Sequence, residues 1–147
     1  MKQIVTTLYN FDELPQDAKQ KAILENYQIN TEHDYWWKER LEELEDLGFE
    51  VFRFELWRNI LDITPQIESF GICENIINEH GVHCKTYQIA KKHFNNEIGE
   101  DEFISQISDE YLRIIKDEEN YLESDEAIIE TFRANDYHFD LNGKIQG

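Results

Sequence analysis

Proline and glycine are nearly missing from this chain, at two and six residues among 147. Long flexible linkers are therefore not expected, and 1–147 reads as a single domain of ordinary size. Cysteine is equally scarce. Cys73 and Cys84 make no disulfide framework, and a chain of this length buries roughly two thirds of its unfolded surface without one. No apolar run approaches the ~20 residues of a membrane span. Met1-Lys2-Gln3-Ile4-Val5-Thr6-Thr7 lacks the apolar centre of a secretion signal, so the cytosol is the expected compartment. Basic side chains are the fourth shortage, at 14 against 32 acidic ones, for a net charge of −18. A small domain stays soluble with a net charge of about 2–8, and self-repulsion beyond that works against compactness. The shortage argues against direct binding to DNA, RNA or an anionic membrane, because phosphate recognition needs Lys and Arg. A basic partner fits instead.

What is present supports a real core. Apolar residues make up 40% and aromatics 13%, which is not a disordered composition. Ile4 to Tyr9 is rich in β-branched residues and reads as a strand. Asp12-Glu13-Leu14-Pro15 opens a helix with Ala18, Ala22, Ile23 and Tyr27 inward. A second helix is expected over 32–47, with Trp37, Leu41, Leu44 and Leu47 at core spacing and Gly48 as terminator. Residues 49–56 read as a strand with Phe52, Phe54 and Leu56 on one face. Thr64-Pro65 reads as a helix start, with Ile67, Phe70, Cys73, Ile76 and Ile77 forming the stripe up to Gly81. Further helices are expected over 82–94, over 100–122 with Phe103, Ile107, Tyr111 and Ile115 inward, and after Ser124. The tail reads as a hairpin around Asn142-Gly143. The predicted fold is α+β: a small, mostly antiparallel sheet made of the N-terminal strand, the strand near 49–56 and the C-terminal hairpin, covered by five or six helices.

The acidity is segregated. Between Asp12 and Glu55 stand 13 acidic and 5 basic residues, and between Glu97 and Glu130 stand 13 and 2; the segment from Leu56 to Asn96 balances at 4 and 4. Both acidic segments are helical by pattern, so carboxylates four apart, such as Glu39 with Glu43 and Glu42 with Asp46, lie about 6 Å apart along the axis. Like charges there cost a few tenths of a kcal/mol each. Glu123, Asp125 and Glu126 lie at a helix N-terminus, where negative charge is favourable without any functional reason. The others can imitate a nucleic-acid backbone, which carries one charge per ~3.4 Å on each strand of duplex DNA. The candidate partner-binding residues are Trp36, Glu39, Glu43, Asp46, Glu102, Asp109, Asp117, Glu118 and Glu119. Trp36 is included because it lies ~100° round the helix from the core position of Trp37, and exposed Trp is a frequent interface anchor. Trp57 is not placed by the pattern.

Chemistry-bearing motifs are few. Cys73, His80, His83 and Cys84 are residue types zinc prefers, but C-x6-H-x2-H-C matches no standard zinc spacing. The favoured reading is a buried helical cysteine beside ordinary surface histidines, with no metal and no cofactor. No phosphate loop, dinucleotide fingerprint, serine-hydrolase elbow or H-E-x-x-H stands in the sequence, so no catalytic residue is assigned.

Two stretches carry a resemblance. One is Tyr9-Asn10-Phe11-Asp12-Glu13-Leu14 with the following Ala18-Lys19-Gln20-Lys21-Ala22 and Asp34-Tyr35-Trp36-Trp37. The other runs from Tyr121-Leu122-Glu123-Ser124-Asp125-Glu126-Ala127 through Ala134-Asn135-Asp136-Tyr137 to Asn142-Gly143-Lys144-Ile145. Both resemble a family of small acidic proteins encoded by phages and prophages, some of them labelled antitoxin-like. The resemblance covers roughly the first 50 and last 30 residues. The middle departs, because Leu56-Trp57-Arg58-Asn59-Ile60-Leu61-Asp62 stands where the family has a glycine-rich turn. The resemblance implies a phage accessory protein in a bacterial host cytosol: an inhibitor of host defence, such as an anti-CRISPR protein, that occupies a basic protein or ribonucleoprotein complex. An antitoxin for a basic toxin and a small enzyme acting on a defence signal are the alternatives. The oligomeric state is not encoded in any pattern here.

Overall fold

The computed structural model describes residues 7–33 and 35–146. Among these the fold is α+β, with six α-helices, a three-stranded sheet and a two-stranded sheet. The chain divides into two compact units, 1–36 with 118–147, and 37–117.

In the first unit, β1 (Tyr9–Asn10) pairs antiparallel with β4 (His138–Phe139), which pairs with β5 (Ile145–Gln146). Residues 4–6 of the expected first strand lie outside the described residues. Asn10 and Glu13 form a capping box around a short 3-10 turn, Phe11–Glu13, in which each side chain satisfies the other residue's amide. Pro15 then stands at the N-cap of α1 (Gln16–Glu25) rather than inside its first turn. Ser124 caps α6 (Asp125–Ala134) by accepting from the Ala127 amide. Phe11, Leu14, Ala18, Ala22, Ile128, Phe132 and Phe139 form the core of this unit; Phe132 and Phe139 meet edge-on at 4.8 Å. Tyr27 is half exposed and does not join the α1 stripe.

The hairpin loop is organised by Asp140. Its carboxylate accepts from the amides of Asn142 and Lys144 and from the Gln146 side chain. These donors, the Lys144 amide first, hold its pKa below the usual carboxylate range. A depressed folded-state pKa adds stability that is present above the ordinary value and lost as pH falls through the lowered one. Amide protection at 142–146 is therefore expected to persist through mildly acidic pH and to fall at strongly acidic pH. Asp140→Asn should show reduced protection already at neutral pH, read by hydrogen exchange.

The second unit holds α2 (Tyr35–Leu47) from Trp37 onward, β2 (Phe49–Glu55), β3 (Ile60–Pro65), α3 (Ser69–Glu79), α4 (Lys85–Phe94) and α5 (Glu100–Leu122) as far as Asp117. Its core joins Leu44, Leu47, Phe49, Leu61, Ile63, Ile72, Ile76, Phe103, Ile107 and Tyr111. Gly48 ends α2 at φ 117°, and a Cβ there would stand 2.7 Å from the Ile67 side chain. Only glycine suits that turn.

Three expectations are corrected here. Residues 49–56 do not join the sheet of the C-terminal hairpin, because among the described residues β2 pairs with β3 in a separate two-stranded sheet. Thr64-Pro65 does not start a helix. The run Ile60 to Thr64, with β-branched Ile60, Ile63 and Thr64, pairs with β2 instead, and Asn59 turns the chain at φ 59° in place of glycine. The helix begins at Ser69, leaving Ile67 and Phe70 outside the core at 47% and 42% exposure. Finally, Phe52 does not share a face with Phe54. A β-bulge between Val51 and Arg53 inserts one residue, which resets the alternation. Phe54 then lies opposite Leu61 with the Trp37 ring tilted against it at 5.0 Å, while Phe52 is 64% exposed. The second and fourth helices also start later than expected, at Tyr35 and Lys85.

Candidate acidic binding surface

The excess charge divides evenly. Residues 37–117 carry 18 acidic and 9 basic side chains, the remainder 14 and 5, so each unit bears a net −9.

On α2, Leu44 and Leu47 point into the core, with Trp37 and Leu41 partly covered. The helical period then forces Glu39, Glu42, Glu45 and Asp46 outward, and all four are exposed. None of the four makes an ion pair among the described residues. Glu43 differs, being half-buried and bound to the Arg40 guanidinium at 2.8 Å.

α5 repeats the arrangement. Phe103, Ile107, Tyr111 and Ile115 are buried, and Asp101, Glu102 and Asp109 are exposed. Glu102 accepts from the Gln106 amide at 3.0 Å. Asp117 is bound by Arg113 at 2.7 Å, but it shares that guanidinium with Glu110, so its charge is only partly offset. Glu39 and Asp46 are seven residues apart, as are Glu102 and Asp109. Seven residues is nearly two full turns, so each pair shares a helix face at about 10.5 Å along the axis.

Trp36, Glu118 and Glu119 belong to the other unit. Trp36 is half-buried, and its indole N–H donates to the Thr31 carbonyl at 3.3 Å. Glu118 and Glu119 are half-buried. Glu123, one turn beyond Glu119, has its pKa raised by burial first and by the Glu119 charge second. The most exposed tryptophan is Trp57, at 83%, with the Arg58 guanidinium 5.4 Å from its ring centre.

Sequence pattern missed four polar residues of the second unit's interior, Ser69, Thr86, His93 and Glu110, of which the last two are ionisable. Glu110 is 3% exposed, bound by the Arg113 guanidinium and 3.8 Å from the Lys85 ammonium. Its signal was spacing, since it stands seven residues after Phe103 on the inward stripe. His93 follows Thr86, Ile89 and Ala90 at inward spacing on α4 and is likewise buried. Its ring lies between Phe70 and Phe103, 4.8 Å from each. One ring nitrogen faces the Ile98 carbonyl at 3.0 Å, which only accepts, so Nδ1 carries the proton. Nε2 then accepts from the Ser69 hydroxyl at 2.8 Å.

A cleft of about 530 Å³ gathers Arg40, Glu43, His80, Cys84, Glu110 and Arg113, among others. Each of its cations already faces a carboxylate, so it offers no spare positive charge to an anionic ligand. Tyr111 borders it with its phenol pushed well above the ordinary range, by burial first and then by the Glu43 and Glu79 charges. His80 Nδ1 is 2.6 Å from the Thr86 hydroxyl. Among the described residues no group of three His, Cys, Asp or Glu side chains is placed to hold a metal ion. Cys73 lies in the core, with burial pushing its thiol up to about 11, whereas Cys84 is exposed. Alkylation of the folded protein should therefore add one adduct, at Cys84, and the second only on denaturation, as read by intact mass.

Among the described residues no helix is long and apolar enough to cross a membrane. No protein-family model, curated protein or solved structure matches the chain.

Proposed function

We propose that the protein works by binding, not by turnover, and that its partner is a basic, nucleic-acid-handling protein or ribonucleoprotein complex. The observation that carries this reading is the set of exposed helical carboxylates with no ion pair among the described residues, Glu39 and Asp46 on α2 and Glu102 and Asp109 on α5. A stretch of ~10.5 Å between same-face carboxylates corresponds to about three phosphate steps of a nucleic-acid strand. Such an array suits a Lys/Arg groove built for phosphate and raises association rate and salt-sensitive affinity. Holding like charges together costs stability, and partner binding offsets that cost. The phage-like sequence stretches supply the setting: an inhibitor of host defence of the anti-CRISPR or anti-restriction kind, acting in the bacterial cytosol.

The test is charge reversal. Glu102→Lys with Asp109→Lys should weaken partner binding on the order of tenfold or more, mainly through the association rate. Glu74→Lys, in the neutral middle of the chain, should change it little. Asp117→Lys should fall between, because Arg113, shared with Glu110, already offsets part of the Asp117 charge. Equal effects at all positions would sink the reading.

A further inference from the structure

Beside α5 lies a groove of about 380 Å³, walled on one side by β3 and on the other by a single α5 face that includes Asp101, Ile104, Asp109 and Leu112. Its size sits at the low end of ligand pockets, which run from about 300 to 1,000 Å³. The bulge in β2 delivers Phe52 to its rim, and Asp62 of β3 joins Asp101 and Asp109 there. The Ser108 hydroxyl donates to the Leu61 carbonyl and so ties α5 to β3 along the groove. Apolar side chains and carboxylates thus meet along one open groove. Asp62, Asp101 and Asp109 have no ion pair among the described residues. Asp62 comes from the segment whose charge sums to zero, so the fold, and not the charge block, brings it to Asp101 and Asp109.

We infer that this groove is the anchor point for one long cationic side chain, an arginine or lysine, projecting from the basic partner. The inference rests on the proposed binding function and deepens it by naming the place and the chemistry. A Lys or Arg stem covers apolar surface while its charged head stays with polar groups. Here Ile104 receives the stem and Asp62 and Asp109 receive the head, while Asp101, about 12 Å from Asp109 along the helix, adds longer-range attraction and the exposed Phe52 ring offers a cation–π contact. Arginine fits better than lysine, because its planar fork matches carboxylates and stacks on rings.

The test uses the full chain and a fluorescent hexa-arginine peptide, with hexa-lysine alongside, in low salt. The doubly neutral variant Asp62→Asn/Asp109→Asn should bind hexa-arginine about tenfold more weakly. Phe52→Ala, which changes no charge, should lose about two- to fivefold. Glu39→Gln/Asp46→Asn removes as many charges from the general acidic array and should lose less than the groove variant, whereas Glu68→Gln/Glu74→Gln, exposed in the charge-neutral middle, should lose at most about twofold. Circular dichroism confirms that each variant is folded. Equal losses from the β3/α5 and α2 variants, with Phe52→Ala unaffected, would overturn the groove and leave the general acidic surface standing. No binding of either peptide by the unaltered protein would overturn both.

Discussion

Phe103→Ala is expected to destabilise the protein by about 3–5 kcal/mol, the range for emptying a well-packed aromatic site. Phe103 is fully buried. It stacks on His93 at 4.8 Å and lies 6.2 Å from Phe49. Its loss also uncovers one face of an imidazole whose two nitrogens are already committed, and the gain in helix propensity from alanine is below ~1 kcal/mol. The denaturation midpoint should fall with little change in slope. Phe52→Ala, the same substitution on a largely exposed ring, should cost no more than about 0.5 kcal/mol. Similar costs at both positions would mean that Phe103 is not packed as described.

Gly143→Ala should be nearly as damaging, at about 2–5 kcal/mol, for a different reason. Gly143 has φ 81°, and a Cβ there would lie 2.6 Å from the Lys21 carbonyl carbon and 2.7 Å from the Ala22 Cα. These are backbone atoms inside α1, so they cannot swing aside as a side-chain end could. The same close approach lets the Asn26 side-chain amide donate to the Gly143 carbonyl at 3.2 Å. Alanine would push the hairpin off α1 and open the core around Phe139. Gly81→Ala has only the Cys84 sulfur at 3.8 Å to meet and should be close to neutral. A thermal melt of both variants separates the cases.

The sequence was legible where one physical signal dominated. α5 spans Glu100–Leu122 as its apolar period predicts, and Ser124 caps α6 as its position before an amphipathic run predicts. The Asn142-Gly143 turn was equally plain. Legibility failed where two signals competed. Thr64-Pro65 carries a strong capping signature, yet the β-branched residues before it found a partner strand in 49–55, a tertiary event no local window contains. The bulge that turns Phe52 outward is invisible in the alternation it breaks. The carboxylates of the acidic surface were legible because helical period alone puts Glu39, Asp46, Glu102 and Asp109 outside. Glu110 was lost among its acidic neighbours, although its spacing marked it as inward. Asp62 could not be placed near Asp101 and Asp109 without the fold.

The central claim is that unpaired helical carboxylates recognise a basic partner. Its most direct test is capture of partners from bacterial lysate on the immobilised full chain across a salt series, with each captured protein identified. The account predicts a basic nucleic-acid-handling protein or complex that is held at low salt, released as ionic strength rises past the physiological range, and lost when Glu102 and Asp109 are reversed. A neutral or acidic partner retained unchanged through high salt would contradict it.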